Sequence, residues 1–384
     1  MYINSLKLVS SALKIKCKIS NIHKKIKNKL RYQLGILLYE ILLQNQRYTV
    51  ILAYFLLCKL KMIRTWDPWI MKKGNEYHAF CLASFITEEP FWMTGVILHL
   101  VSKDLEKWSF TDVTMQPDDC QWRNGRILAG SCVEENNKFY LFYSASPQKP
   151  NILIESIGMA VSDDLRTWQQ QPDVLIVLDY KIYANSQRTD TIYEHCQCRD
   201  PYLVKCDVKN QYYLIFSTAI SDAHHHFRGC IGLAVSQSID GPYQLLKPLL
   251  FPHVNDETNN GIFYELERPQ LIIKNGKYYL FFSAWGHTIN PKASENYSEL
   301  NLDKSALYCY VSDSLDGLYK PVPEFKIVPG SEKTGMYGTN FLQDEDGEWF
   351  AYGWYLETFT CEIGRKFPVI WDTEIPRILI PNQD

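Results

Sequence analysis

Gly276-Lys-Tyr-Tyr-Leu-Phe-Phe-Ser283 reads as a short aromatic strand launched from an Asn-Gly turn, and four other stretches repeat its pattern. They are Asn75-Glu-Tyr-His-Ala-Phe, Asn137-Lys-Phe-Tyr-Leu-Phe-Tyr-Ser, Gln211-Tyr-Tyr-Leu-Ile-Phe-Ser and Gly347-Glu-Trp-Phe-Ala-Tyr. Aromatic runs behind such turns favour a pleated, half-buried strand over a helix. Their starts lie about 60 to 75 residues apart, a period that marks repeated β-units. A second string follows four of them: Leu100-Val-Ser-Lys-Asp-Leu-Glu-Lys-Trp108, Ala160-Val-Ser-Asp-Asp-Leu-Arg-Thr-Trp168, Ala234-Val-Ser-Gln-Ser-Ile-Asp-Gly-Pro-Tyr243 and Tyr310-Val-Ser-Asp-Ser-Leu-Asp-Gly-Leu-Tyr319. Each is strand, polar turn, then an aromatic opening the next strand. Units of about four strands are too small to bury their own faces, and stacking around an axis solves that. The sequence therefore predicts an all-β fold, a five-bladed β-propeller, over residues 62–384. A sandwich with fortuitous repeats does not explain two strings recurring in one order.

The 384 residues carry 40 Lys and Arg, 43 Asp and Glu, and 46% apolar residues, which excludes a disordered chain and a disulfide-stapled mini-domain. Charge is unevenly placed. Residues 1–61 hold 12 basic residues and one acid, Glu40, and contain neither Trp nor Asp. This basic N-terminal extension is expected to be helical or disordered, and to be dispensable or untranslated if Met62 is the start. Contact with a membrane surface is a further reading of its basic, amphipathic character. Its longest apolar run, Tyr48 to Cys58, is shorter than the roughly 20 residues of a spanning helix. The acidic remainder is a poor match to a phosphate backbone, so no nucleic acid is expected as partner. Eleven cysteines without paired Cys-x-x-Cys spacing read as free thiols and a cytoplasmic location. His195, Cys196 and Cys198 lack the second half of a zinc site, and His224-His225-His226 reads as a solvated loop. No metal is expected. Residues 285–303, rich in Asn, Ser and Glu, are expected to overhang the axis as a specificity loop.

Upstream of the repeated strands, three of the five units carry acids: Trp66-Asp67-Pro68-Trp69, Arg199-Asp200-Pro201 and Glu265-Leu-Glu267-Arg268-Pro269. Blade two offers Gly130-Ser131 and blade five Gly338-Thr339. As the innermost strands of a propeller these segments converge on one funnel. Crowded carboxylates raise one another's pKa, a costly arrangement that suits glycoside chemistry, where one carboxylate attacks and a carboxylic acid of raised pKa protonates the leaving oxygen. Arg199 and Arg268 stand ready to hold carboxylates ionised, and Trp66 and Trp69 suit the apolar face of a sugar.

These motifs resemble those of the sucrose- and fructan-active propeller enzymes, the clan of invertases and levansucrases (glycoside hydrolase families 32 and 68). The resemblance runs over roughly residues 64–355 and is strongest to the levansucrase family, with Gly229-Cys-Ile-Gly-Leu-Ala and Tyr308-Cys-Tyr-Val-Ser-Asp-Ser-Leu-Asp-Gly adding to it. It implies Asp67 as nucleophile, Asp200 as the acid that holds fructosyl hydroxyls and Glu267 as general acid/base. Trp66, Trp69, Ser131, Arg199, Glu265 and Arg268 would bind the carbohydrate substrate, a sucrose, fructan or related furanoside. The implied reaction is retaining fructosyl transfer to water or a sugar, without a cofactor. Two departures stand out. Leu128-Ala129 replaces an aromatic and a serine of the clan's pattern, and Ala284-Trp-Gly-His-Thr-Ile-Asn290 lacks the arginine that levansucrases place there for the acceptor sugar. Hydrolysis is accordingly expected over polymer synthesis. The alternatives are a glycosidase of the related family 43, acting on arabinosyl or xylosyl linkages, and a glycan-binding propeller without turnover.

Overall fold

The computed structural model describes residues 25, 28–37, 47–184, 196–221, 227–253, 261–296, 306–328, 334–355, 362–372 and 375–380. The chain divides into two compact units, Met1–Ile63 and Arg64–Asp384. The first is helical over residues 28–37 and again over α1 (Arg47–Lys59). Among the described residues no helix is long and apolar enough to cross a membrane.

The second unit is a five-bladed propeller, each blade a four-stranded sheet of consecutive strands. Blade one is β1 (Ile63–Lys73), β2 (Glu76–Phe85), β3 (Val96–Ser102) and β4 (Ser109–Met115). Blade two is β5 (Arg126–Glu135), β6 (Lys138–Ser146), β7 (Ser156–Ser162) and β8 (Gln169–Gln170). Blade three is β9 (Cys198–Cys206), β10 (Gln211–Ala219), β11 (Gly229–Ser236) and β12 (Gln244–Leu245). Blade four is β13 (Glu267–Lys274), β14 (Lys277–Ala284), β15 (Ala306–Ser312) and β16 (Lys320–Val328). Blade five is β17 (Met336–Gln343), β18 (Trp349–Tyr355), β19 (Phe367–Ile370) and β20 (Arg377–Ile378).

The five repeated aromatic stretches are the second strands. Their side chains make the seams between blades: Phe142 of β6 packs with Phe216 of β10, Ile215 with Leu280 and Phe282 of β14, and Phe281 with Phe341 of β17. One cluster containing Trp66, Phe80, Leu141, Tyr143, Tyr337 and Trp354 joins blades one, two and five and closes the ring. The second recurrent string is a turn with its own bonding. Ser102 Oγ accepts from the Asp104 and Leu105 amides, and Asp104 Oδ1 accepts from Glu106 and Lys107 at 2.9 and 2.8 Å. Asp164 repeats this with Arg166 and Thr167 at 2.8 and 2.7 Å. Such turns satisfy backbone donors locally and free Leu105 and Leu165 to plug the core between strands.

The first strands share a further feature that positions the chemistry. β5, β9, β13 and β17 each slip register against their second strand, at Leu128/Gly130, opposite Ile215/Ser217, at Glu267/Gln270 and at Tyr337/Asn340. Asp200, Arg268 and Gly338 adopt left-handed backbone at these slips, with φ of 55°, 57° and 58°, and Asp67 of β1 does so with φ of 46°. A non-glycine residue in that region costs on the order of 1 kcal/mol or more, and such strain gathers where a bulge re-aims a side chain. The pairing also sets the acids apart in register. Glu267 lies opposite Ser283, matching not Asp200 but Arg199 opposite Ser217, Leu128 opposite Ser144 and Tyr337 opposite Trp354. The left-handed place of Asp200 is taken in blade four by Arg268, so Glu267 stands one residue earlier.

Candidate active site

First strands from all five blades line one cavity of about 900 Å³, contributing Trp66 and Asp67, Leu128 and Ala129, Arg199 and Asp200, Glu267, and Tyr337, with Glu265 just ahead of β13. The three expected acids therefore meet, as do Arg199, Glu265 and Trp66.

Asp67 sits at the floor. Its Oδ1 accepts the Trp354 indole N–H at 2.9 Å and lies 3.9 Å from Arg268 Nε. Arg268 Nη1 donates to the Asp67 carbonyl at 3.0 Å, and Nη2 donates to the Pro68 carbonyl and to Asn340 Oδ1. Blade four thus grips blade one through the residue that ends in the carboxylate. Burial raises Asp67 to about 6; Arg268 opposes that rise and Asp200 adds to it. A Cβ on Gly338 would stand 3.1 Å from Asp67 Oδ1, a close approach that adds to the need for glycine at this left-handed position.

Asp200 is held from two sides. Its amide donates to Ser144 Oγ at 3.0 Å, and its Oδ2 accepts the Arg268 amide at 3.0 Å. Burial raises its pKa, offset in part by Arg199 and Arg268.

Glu267 faces them with its side chain 19% exposed. Oε1 accepts from Arg199 Nη2 at 3.1 Å and Oε2 from the Tyr337 hydroxyl at 2.6 Å. Burial first and the neighbouring Glu265 second push it up to about 8, with Arg199 opposing. Burial works against the Arg199 cation, yet Glu155, Glu265, Glu267 and Asp200 outweigh it and hold the guanidinium well above its ordinary value. Glu265 accepts from Arg199 Nη2 at 2.6 Å and from Gln197 Nε2 at 3.0 Å. The two carboxyls of one cavity are thus pushed up unequally, Glu267 further than Asp67.

An aromatic wall completes it. Tyr337 stacks on Trp285 at 3.9 Å between centroids, Trp354 meets Tyr337 edge-on at 5.9 Å, and Phe91 meets Trp66 edge-on at 4.9 Å. Such faces suit the C–H surface of a sugar ring.

Three expected sugar contacts lie elsewhere. Trp69 packs its ring against Tyr202 of blade three at 5.3 Å and donates to the Cys132 carbonyl of blade two, so it serves the packing between blades. Ser131 is fully buried two residues past the bulged Ala129 and does not line the cavity. Arg268, 3% exposed, braces the floor from behind. Tyr337, Trp354, Trp285, Glu155 and Arg126, none of them named in the sequence as a site residue, also line the cavity. Two carried a signal: Tyr337 stands beside Gly338 at the blade-five counterpart of the acid motifs, and Trp285 opens the stretch expected to overhang the axis. Among the described residues no group of His, Cys, Asp and Glu is placed to hold a metal, and Cys196 and Cys198 are buried free thiols. His195, the 224–226 histidines and residues 297–303 of the expected specificity loop lie outside the described residues.

Residues 68–236 match the family model described as glycosyl hydrolases family 32 N-terminal domain. Over 113 residues the chain is 34% identical to a levansucrase of Erwinia amylovora, covering 29% of this chain and 23% of the relative. The likeness to a levansucrase of Rahnella aquatilis is 33% over 113 residues, again 29% and 23%. Both likenesses point to the sucrose- and fructan-active clan that the sequence motifs resemble. The chain's matched region spans about a quarter of the length of these curated relatives. Solved structures share its propeller fold. An inulosucrase from Halalkalicoccus jeotgali bound to kestose has a TM-score of 0.65 at 21% identity, covering 83% of this chain and 87% of that one. A Bacillus subtilis levansucrase has a TM-score of 0.64 at 16% identity, covering 84% and 87%.

Proposed function

We propose that this propeller is a retaining glycosidase acting on β-fructofuranosides, sucrose or a fructan, with transfer of the fructosyl group to water favoured over polymer synthesis. The observation that carries it is the division of labour between two carboxyl groups in one cavity. Asp67, bound by Trp354 and faced by Arg268, is raised less, to about 6, than Glu267, raised to about 8, so Asp67 is the carboxyl that gives up its proton first. A pair of carboxyls whose environments separate their pKa values marks the acid and the base of a glycosidase, and the resemblance to levansucrases supports the retaining course.

In this reading Asp67 attacks the anomeric carbon and forms a covalent fructosyl ester while Glu267 passes its proton to the leaving oxygen. Glu267, now ionised, takes a proton from an incoming water, which opens the ester and restores both groups. Asp200 holds sugar hydroxyls and stabilises the oxocarbenium-like transition state. Trp66 and Tyr337 offer apolar faces, while Arg199 and Glu265 line the acceptor side. Leu128 and the arginine-free 284–290 stretch give that side few groups for gripping a second sugar, which supports water as acceptor.

The test is sugar release by the full chain from sucrose, levan, inulin and an aryl arabinofuranoside. Fructose release from at least one fructoside is expected, reduced at least about 10⁴-fold by Asp67→Asn with the thermal midpoint preserved. Release from the arabinofuranoside alone, or full activity in Asp67→Asn, sinks the reading.

A further inference from the structure

Behind the acid/base side of the cavity runs a line of charge that the reaction does not use. Arg126, 3% exposed, opens β5 and donates through Nη2 to Glu155 Oε1 at 2.9 Å. Its other nitrogens are spent on Ser146 Oγ and the Ile152 carbonyl, each at 3.0 Å, and on the Trp92 carbonyl at 3.2 Å. Glu155 is 4% exposed, just ahead of β7, and also accepts the Cys198 amide at 3.4 Å. With its two oxygens so anchored, it receives Arg199 Nη1 on both, at 3.3 and 3.4 Å. Arg199 Nη2 is then left to serve Glu265 at 2.6 Å and Glu267 at 3.1 Å.

Arg199 does not need Glu155 for neutrality, because Glu265, Glu267 and Asp200 already surround it. A buried ion pair is also weak evidence for stability, since hydrophobic replacements are often as good. What the pair supplies is direction. A guanidinium is a rigid planar fork, and pinning one nitrogen fixes where the other points.

We propose that Glu155, braced by Arg126, is a positioning residue that aims the Arg199 fork, holding Nη2 between Glu265 and Glu267 and keeping the cation from settling on Glu267 alone. The proposal rests on the reading of Glu267 as acid/base. The groups facing Glu267 are Glu265 ahead of its own strand, Arg199 and Asp200 from β9, Asp67 from β1 and Tyr337 from β17. Removing the Glu155 charge releases Arg199 toward Glu267. A closer cation favours the ionised form, so the acid gives up its proton at lower pH.

The experiment compares the full-length wild type with Glu155→Gln and Glu155→Asp. Glutamate carboxyls are labelled with carbon-13 and titrated by NMR, with the Glu267 signal assigned by its loss in Glu267→Gln. In Glu155→Gln the Glu267 midpoint and the alkaline limb of kcat/KM are expected to fall together by about one pH unit, with kcat about tenfold lower. Glu155→Asp, which keeps the charge but shortens the reach, is expected to fall between. A lower thermal midpoint with both titrations unmoved overturns the proposal in favour of a structural role. If Glu155→Gln does not fold, Arg126→Gln/Glu155→Gln leaves no unpaired buried charge and is read by the same two outcomes. Should the wild type cleave no fructoside, the functional reading falls while the carboxyl titration still decides the positioning role.

Discussion

Glu267 in blade four and Leu128 in blade two stand at one register position, each opposite a serine of the second strand, Ser283 and Ser144, and each beside the bulge of its first strand. Around Glu267 the molecule spends a guanidinium, a tyrosine hydroxyl and a second carboxylate; Leu128 is simply packed at 8% exposure on the cavity wall. Blade two gives its polarity to a neighbour instead, with the Ser144 hydroxyl donating to the Ala129 carbonyl while accepting the Asp200 amide. The bulge is thus a feature of the fold, and the chemistry is what each blade hangs on it. A charge placed there needs partners from blades on either side, whereas an apolar side chain needs none.

The comparison breaks most sharply at Glu267. Glu267→Gln is expected to lower kcat by about 10² to 10⁴-fold on an unactivated fructoside, the range for loss of general acid/base help, measured by initial rates across pH. The same change is expected to help folding in alkali. The folded state holds the Glu267 proton to about pH 8 against an ordinary value of 4.5, so it binds more protons than the unfolded chain between those values. The stability this contributes is fully present below about pH 4.5 and is lost as pH rises to 8. Glutamine has no such loss. The thermal midpoint of wild type minus that of Glu267→Gln should therefore decline across this window, and a flat difference would falsify the assignment of a held proton.

Tyr337, at the same register position in blade five, sharpens it. Tyr337→Phe keeps the ring stacked on Trp285 and removes only the 2.6 Å hydrogen bond to Glu267 Oε2. A donor to a carboxylate favours its charged form, so without it the Glu267 midpoint rises and the alkaline limb of kcat/KM moves upward. A fall of about tenfold in kcat is expected from lost orientation, consistent with the roughly 1.5 to 3 kcal/mol of a hydrogen bond to a charged group. A limb that moves down would show that the hydroxyl accepts from Glu267.

The blades were legible because each had to bury aromatic second strands against the next, and that demand wrote one pattern five times. The acids were legible because arginine, proline and carboxylate clustered on three of the first strands. Register was not: one extra residue in a bulge shifts the count by one, which moved Glu267 away from the position of Asp200, and residue spacing does not announce a bulge. Trp69 was misread for a related reason, since an aromatic beside an acid serves core and cavity equally well in sequence. Glu155, Arg126 and Trp354 left no mark because their roles arise from contacts with other stretches of chain. Glu155 reaches Arg199 over a separation of 44 residues, and Trp354 reaches Asp67 over 287.

Leu128→Ala is the smallest expected effect and the control for the others. Leu128 lines the cavity but carries no group that can move a proton or hold a hydroxyl, so kcat should stay within about threefold and KM should change little more. The cost should appear in stability. Leucine-to-alanine changes in cores cost about 2 to 5 kcal/mol, and a side chain on a cavity wall, with fewer atoms around it than one in a seam, belongs near the lower end. Denaturant midpoints of wild type and variant check this. If kcat instead falls a hundredfold, blade two touches the reacting sugar as blade four does, and the same register position would be catalytic in both.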